Sequence, residues 1–292
     1  MITSAQSGAW NTTTTWVDGV VPTATDDVTI AALHAVTSAV PSVGYVRLFL
    51  YCNNLTVAHT GSLVTTAGVG VAATGTVTAN DVLTLSGELA AGVLAVGATG
   101  VVTVGNTTII NGATTVTASG SLTCNGQLTD FLGGATINGT FVTGILCSML
   151  QSLVGFEVTT SGHMTLNGQT AFNGPTFTVD ANGTLSIATG ASLIVGETLP
   201  TTLSLDGTTS VHGTLRVGTP AALEQAGTMT VYTAGIVNIL DAAWTLNSGG
   251  TVQAVGGTVS ISLGSHIIMA SGATIDTSSG GTLTLPPFVP LR

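Results

Sequence analysis

The sequence predicts an all-β protein, a right-handed parallel β-solenoid of about ten coils with about 20–23 residues in each coil. Three observations predict this fold. A short phrase that begins with glycine recurs along the chain, apolar and polar residues alternate after each glycine, and the β-branched residues Thr, Val and Ile prevail. No apolar stripe with the helical period of about 3.6 residues extends beyond a few turns.

The glycine phrase sets the size of the predicted coil. From residue 100 it recurs at intervals of 19 to 23 residues, and in the last third of the chain the interval falls to 7 to 9 residues. A strand of four or five residues with its corner takes about seven or eight residues, so three sides close a coil. Typical phrases are Gly100-Val-Val-Thr-Val, Gly120-Ser-Leu-Thr-Cys, Gly183-Thr-Leu-Ser-Ile and Gly281-Thr-Leu-Thr-Leu.

The alternation after each glycine predicts which side chains enter the core. Val, Leu, Ile and Met occupy one set of alternate positions and point inwards, whereas Thr and Ser occupy the other set and face outwards. The corners are assigned to Gly and to Asn-Gly pairs, which tolerate a positive φ. These pairs are Asn111-Gly112, Asn125-Gly126, Asn138-Gly139, Asn167-Gly168 and Asn182-Gly183.

An antiparallel sandwich or barrel is the rival architecture, because short strands joined by Asn-Gly hairpins also fit it. Its weakness is length. About 230 residues of uniform repeat would require two sandwiches and a linker, and no Pro-rich or charged linker interrupts residues 55–285.

The chain divides by sequence style into an entry segment at 1–45, a solenoid at 46–284 and a Pro-rich C-terminal segment at 285–292. Two of the three Trp residues lie in the entry segment, together with a proline and a pair of carboxylates. We expect this segment to cap the apolar end of the solenoid. The predicted cap residues are Trp10, Trp16, Pro22, Asp26 and Asp27.

The entry segment resembles the opening of bacteriophage virion β-helix proteins. The resemblance lies in Ile2-Thr-Ser-Ala-Gln-Ser-Gly-Ala-Trp10, in Thr15-Trp-Val-Asp-Gly-Val-Val-Pro22 and in Asp26-Asp-Val-Thr-Ile30. A similar Gly-x-Trp, Trp-x-x-Gly, Pro, Asp-x-Val-x-Ile entry begins many secreted bacterial solenoids, including adhesins. The resemblance covers the first 30 to 45 residues and implies a β-helix in a virion or on a cell surface.

Composition excludes several functional classes. Charged residues make up 5% of the chain, the formal net charge is -10, and three arginines are its only Lys or Arg residues. We therefore expect no nucleic-acid partner, because phosphates would meet too few cations. The longest apolar stretch, at about residues 144–156, has about 13 residues and is too short to span a bilayer, so no membrane insertion is expected.

Candidate catalytic and metal sites are few, and we expect no catalytic residues, no metal and no cofactor. Glu157, Asp180 and Asp206 are spaced by about one coil and are the carboxylates that stacking can bring together, as glycosidases require. Asp180 and Asp206 also look like ordinary corner residues.

The histidines are widely separated along the sequence, although His163 and His212 can lie on one face of the solenoid. The cysteines Cys52, Cys124 and Cys147 form no Cys-x-x-Cys pair and are predicted to be small apolar core residues.

An uncharged β-rich surface favours association between copies, and we expect a homo-oligomer, a trimer in the first instance. Residues 144–157 break the glycine phrase and predict a short helix or a hydrophobic loop, which either fills the core as an irregular coil or protrudes as an oligomer contact. The Pro-rich segment cannot continue a ladder, so it either caps the last coil or reaches a neighbour. The candidate contact residues are Ile145, Leu146, Met149, Leu150 and Phe288.

Three functions remain open from the sequence. The first is a non-enzymatic virion protein, such as a tail fibre, a head fibre or a capsid decoration, which binds other virion proteins and in some settings a host-surface glycan. The second is a secreted bacterial adhesin or extracellular filament subunit. The third is a polysaccharide depolymerase of the tailspike type. Residues 1–8 show no secretory signal pattern, which favours the virion over the cell surface.

Overall fold

The computed structural model describes residues 1–23, 25–38, 49–65, 70–196 and 199–286. Within them, two short 3₁₀ turns at Thr13–Thr15 and Val17–Gly19 are accompanied by 36 strands. Contacts divide the chain into two compact units. Unit 1 comprises Met1–Gly134 and Asn138–Val142, and unit 2 comprises Ala135–Ile137 and Thr143–Arg292.

The strands follow one another at short intervals along the chain. They are β1 Ile2–Thr3, β2 Gly8–Ala9, β3 Val28–Ile30, β4 Ala35–Ser38, β5 Phe49–Cys52, β6 Leu55–Val57, β7 Ser62–Thr65, β8 Gly70–Ala79, β9 Val82–Leu85, β10 Leu89–Val96, β11 Val101–Val104, β12 Thr108–Ile110, β13 Thr114–Val116, β14 Ser121–Cys124, β15 Leu128–Phe131, β16 Ala135–Ile137, β17 Thr140–Thr143, β18 Met149–Gln151, β19 Phe156–Val158, β20 His163–Leu166, β21 Gln169–Asn173, β22 Thr176–Val179, β23 Thr184–Ile187, β24 Ser192–Val195, β25 Thr202–Leu205, β26 Thr208–Val211, β27 Thr214–Gly218, β28 Ala222–Gln225, β29 Thr228–Val231, β30 Ile236–Leu240, β31 Ala243–Leu246, β32 Thr251–Ala254, β33 Thr258–Ile261, β34 His266–Met269, β35 Thr274–Asp276 and β36 Thr282–Thr284.

Unit 2 is built from three parallel ladders, one for each side of the coil. The first runs β20-β23-β26-β29-β32-β35. The second runs β18-β21-β24-β27-β30-β33-β36. The third runs β19-β22-β25-β28-β31-β34. Each strand therefore pairs with the strand three places further along the chain.

Unit 1 has the same construction with longer strands in two places. Its ladders are β2-β4-β7-β9-β11-β14, β1-β3-β6-β8-β10-β13 and β5-β8-β10-β12-β15. All of these pairings are parallel, and the predicted parallel β-solenoid is confirmed. The antiparallel sandwich is excluded, because an antiparallel hairpin would pair strands that are adjacent in sequence.

The alternation of burial follows the prediction from the sequence, except that some inward positions hold threonine, and Thr108, Thr129 and Thr209 are fully buried. In β23 the side chains of Leu185 and Ile187 are at most 1% exposed, whereas Thr184 and Ser186 face outwards. The core also contains aromatic rings. Phe156 stacks on Phe177 with ring centroids 5.2 Å apart, and Val, Leu and Ile fill most of the remaining core positions. Burial of these side chains from water is the main term that stabilises each coil.

The role predicted for the Asn-Gly corners is wrong in four of the five pairs. Asn182 has a φ of 69°, but neither residue of the other four pairs has a positive φ. Glycine is needed at these corners because stacked coils approach closely. A Cβ atom on Gly183 would lie 2.7 Å from the carbonyl oxygen of Thr159, and one on Gly168 would lie 2.6 Å from that of Cys147.

The three cysteines are buried, as the sequence predicts. Burial raises the pKa of the Cys52 thiol to about 12, with a smaller contribution from the negative charge of Asp27. These side chains fill the core as small apolar groups.

Candidate functional site

Exposed aliphatic side chains cluster in one coil of unit 2, within ten residues of sequence. Ile145 is 79% exposed, Leu146 59%, Met149 37%, Leu153 60% and Val154 67%. We call these five residues the apolar strip. Single exposed apolar residues are normal on a protein surface, whereas several on one coil mark that coil as a candidate contact with another molecule.

The first corner of this coil places Ile145 and Leu146 in solvent. The backbone N–H of Cys147 donates to the carbonyl oxygen of Gly144 at 3.2 Å, which closes a tight turn. The Cys147 side chain is fully buried. With both ends of the turn held in this way, the two residues between them point outwards.

The second corner exposes Leu153 and Val154 by a similar mechanism. The Ser152 hydroxyl is fully buried, donates to the carbonyl oxygen of Gly155 at 2.8 Å and accepts from the N–H of the same residue at 3.0 Å. These two hydrogen bonds pair the backbone N–H and carbonyl groups of Gly155 at the corner, so the side chains of Leu153 and Val154 are not needed to hold it. β18 lies between the two corners and presents Met149 outwards.

The structure assigns the predicted contact residues to different surroundings. Ile145, Leu146 and Met149 are exposed, but Leu150 is fully buried, so the expectation that Leu150 contacts a partner does not hold in this fold. Leu150 alternates with Met149 along β18 and therefore points to the core. Phe288 lies outside the described residues. The contribution of Leu153 and Val154 was missed, although the flanking Ser152 and Gly155 are a corner signal in the sequence.

The coil is also not a helix. Residues 144–157 form two corners, β18 and the start of β19. The predicted alternative of an irregular coil that also supplies core residues describes this segment, since Leu150 and Phe156 are buried.

A shallow groove of about 510 Å³ lies beside the first corner. Gly168 and Gly190 belong to the two following coils, and the space beside Gly190, which has no side chain, is open. Its lining residues are Ile145, Leu146, Cys147, Ser148, Asn167, Gly168, Gln169, Thr189 and Gly190.

A second surface of unit 2 consists almost entirely of hydroxyl groups. The outward positions of β23, β26 and β29 hold Thr or Ser only, and they are in register along the ladder. We call this surface the hydroxyl face. Its residues are Thr184, Ser186, Thr208, Ser210, Thr228 and Thr230. No charged side chain stands among them, which agrees with the predicted uncharged flanks.

Two of the carboxylates singled out in the sequence are close together. Glu157 is hydrogen-bonded to Asp180, and its pKa is raised by burial and then by the charge of Asp180. The two carboxyl groups are therefore closer than the separation of about 5–9.5 Å that glycosidases use. Asp206 lies one ladder step from Asp180 and its side chain accepts a hydrogen bond from Ser204 at 3.3 Å.

The acid pair supports a prediction about stability. Because the pKa of Glu157 is raised in the folded state, the folded protein holds this proton more tightly than the unfolded chain does. The resulting stability is fully present below the unfolded pKa of about 4.3 and is lost as the pH rises through the folded pKa. Glu157→Gln should therefore raise the urea midpoint at pH 7 relative to the wild type. Because both carboxyl groups are partly solvated, we expect the substitution to raise the free energy of unfolding by less than about 1 kcal/mol.

Urea unfolding at acidic pH tests whether the charge of Glu157 causes this difference in stability. At pH 4 the wild type and Glu157→Gln should have closer urea midpoints than at pH 7. Glu224→Gln removes an exposed carboxylate outside the pair and should leave the midpoint unchanged at pH 7. Equal effects of the two substitutions at pH 7 would contradict the assignment to the pair.

The histidines do not meet. His163 lies on the first ladder with its Nδ1 atom 2.7 Å from the Thr184 hydroxyl. His212 lies at a corner, where its ring stacks on Tyr232 with centroids 4.2 Å apart. In the described part of the chain, no group of three or more His, Cys, Asp or Glu residues is arranged to hold a metal ion.

The entry segment forms contacts of the kind expected from a cap. Trp10 and Trp16 are at most 5% exposed and pack edge to face with ring centroids 5.0 Å apart. The Trp16 Nε1–H donates to the carbonyl oxygen of Trp10 at 2.7 Å, and Pro22 is buried. Their action as a cap stays a prediction.

The two carboxylates of the entry segment are engaged locally. Asp26 accepts from the backbone N–H and hydroxyl of Thr23 at 2.8 and 2.7 Å. Asp27 accepts from the side-chain amides of Asn53 and Asn54 at 2.8 Å each. Hydrogen bonding lowers the pKa of both, chiefly from the Thr23 hydroxyl for Asp26 and from Asn54 for Asp27.

Among the solved structures similar to this chain is that of a glycosylated protein fragment. It is the crystal structure of a TibC-catalysed, hyper-glycosylated fragment, TibA55-350. That fragment is 17% identical in sequence, the alignment covers 96% of this chain and 98% of the fragment, and the TM-score is 0.24.

This match does not assign a function. No protein-family model and no curated protein matches the chain. The described residues contain no helical segment with the length and hydrophobicity of a transmembrane span.

Proposed function

We propose that this chain is a non-enzymatic structural protein whose solenoid self-associates into a homo-oligomer, with a trimer as the expected form. The apolar strip carries the proposal. Five exposed aliphatic side chains on one coil are costly to leave in water, and covering each one contributes favourably at about 25 cal/mol per Å² of apolar surface. Contact with other copies would cover them.

The biological setting that we propose is a virion, with the protein as a fibre or capsid-decoration subunit that also contacts other virion proteins. The resemblance of the entry segment to virion β-helix proteins supports this setting. The cell surface is the alternative setting, where the same solenoid would serve as an adhesin or filament subunit. The hydroxyl face supports a role in attachment in either setting, because its hydroxyl groups can donate to and accept from a glycan.

The proposal of a non-enzymatic role is supported by the geometry of the acid pair. Glu157 and Asp180 are hydrogen-bonded to each other, whereas a glycosidase holds its two carboxyl groups about 5–9.5 Å apart on either side of the sugar.

Sedimentation velocity of the full chain tests self-association. We expect a mass that is a multiple of 28.8 kDa, and we expect the double variant Ile145→Ser/Leu146→Ser to shift the distribution to the monomer. The control is Leu33→Ser, which removes a side chain that is 81% exposed outside the strip and should leave the oligomer intact. A wild type that is monomeric at every concentration would overturn the proposal.

The setting requires a separate measurement. Antibodies against the protein should label purified virus particles in electron microscopy if the virion setting is correct. Labelling confined to bacterial cell surfaces would instead support the adhesin.

A further inference from the structure

The shape of the apolar strip restricts what can cover it. Along the second ladder, Met149 of β18 is in register with Ala171 of β21, which is half-buried, and no large hydrophobic side chain of this following coil is exposed. On the side of β21, the strip is therefore one strand wide, or about 4.8 Å. A flat sheet face of a second copy would span many coils and meet mostly polar groups. An extended single segment of chain has the matching width.

The groove beside the strip has room for a large side chain. Its volume of about 510 Å³ opens next to Ile145 and Leu146, and Gly168 and Gly190 are among its lining residues. Gln169 at its edge is exposed and its amide can pair with backbone groups of an incoming segment. The occupant should therefore be extended, apolar and provided with at least one bulky side chain.

Residues 287–292 of the same sequence have these properties. The segment reads Pro-Phe-Val-Pro-Leu-Arg, lies outside the described residues and contains no acidic residue. Proline has no backbone N–H, so such a segment cannot add a regular strand to the last coil. A segment of this composition can accept hydrogen bonds through its carbonyl oxygens, and a phenylalanine side chain matches a site with room for one ring.

The distance that residues 287–292 can span determines whether they bind the strip of their own copy or of another copy. The second ladder has six steps between β18 and β36, after which the description ends at Pro286. Six steps span about 29 Å at about 4.8 Å each, whereas six extended residues reach at most about 22 Å. The segment therefore cannot reach the strip of its own copy.

We infer that residues 287–292 of one copy bind the apolar strip of a second copy, with Phe288 in the groove beside Leu146. This inference rests on the proposed self-association and names the surfaces that would produce it. The contact is heterologous, because the strip and the segment are different parts of the chain. Heterologous contacts close into rings, such as a trimer, or continue as filaments.

Disulfide trapping between two variants tests the inference. Leu146→Cys and Phe288→Cys are prepared as separate full-length proteins, mixed and oxidised gently. The native cysteines that the structure describes are buried, so the new thiols are the ones expected to react in the folded protein. We expect a cross-linked dimer on a non-reducing gel from the mixture, and much less from either variant alone. Thr230→Cys on the hydroxyl face, mixed with Phe288→Cys, is the control and should not cross-link.

The outcomes separate the inference from the proposed function. Cross-linking of Leu146→Cys with itself but not with Phe288→Cys, in an oligomeric protein, would overturn the segment contact and leave self-association standing. A monomeric wild type in sedimentation would overturn both. As an independent readout, Phe288→Ser should weaken self-association by about tenfold or more, the effect expected from losing one buried aromatic side chain. An unchanged dissociation constant would contradict the contact.

Discussion

Replacing Trp16 with alanine is expected to remove about 3–5 kcal/mol from the free energy of unfolding, the range for deleting a large buried aromatic side chain. Trp16 is 2% exposed, packs against Trp10 and donates a hydrogen bond to the carbonyl oxygen of Trp10. Its removal would leave a cavity in the entry segment and an unpaired carbonyl group. Urea unfolding followed by far-UV circular dichroism measures the effect without relying on tryptophan fluorescence.

Two further substitutions test the cap interpretation. Val17→Ala changes the next residue, which is 46% exposed, and should alter stability by no more than about 0.5 kcal/mol. Trp16→Phe keeps a ring but loses the Nε1–H donor, so its effect should lie between those of alanine and the wild type. A Trp16→Ala protein as stable as Val17→Ala would show that the entry segment does not stabilise the solenoid.

Replacing Gly183 with alanine is expected to destabilise unit 2 by about 1–3 kcal/mol or more, because the added methyl group overpacks a closed site. Its Cβ would lie 2.7 Å from the carbonyl oxygen of Thr159 and 3.0 Å from that of Asp180. Both obstacles are backbone atoms, so relief requires the stacked coils to separate locally. Thermal unfolding should show a lower Tm than the wild type.

Gly218→Ala is the matched control for this substitution. Gly218 also lies in unit 2, its φ is not positive, and the nearest atom to an added Cβ would be 3.9 Å away. Alanine there should be neutral or slightly stabilising, since it restricts the unfolded chain. Equal losses at the two positions would contradict the explanation by close approach of coils.

Much of the fold was predictable because it depends on local pattern. Alternation of apolar and hydroxyl residues places Leu185 and Ile187 inside and Thr184 and Ser186 outside, and the structure has them there. A period of two needs no knowledge of distant residues. The repeat length likewise indicated how often the chain returns to the same side.

The candidate site was predictable only in part. The break in the glycine phrase pointed to residues 144–157, but it did not distinguish Met149, which faces water, from Leu150, which is buried. The side on which β18 points depends on how the preceding corner closes around Cys147. That geometry involves hydrogen bonds and burial that the sequence pattern does not reveal.

The chain's residue order by itself determined the class of fold, the inward and outward faces of the strands and the uncharged character of the surface. These properties follow from side-chain periodicity and composition. The tertiary structure alone decided that glycine at most Asn-Gly corners serves close stacking of coils, that Glu157 meets Asp180, and that five aliphatic side chains remain in solvent. Each of these depends on which residues of successive coils become neighbours, and only the stacking register sets that.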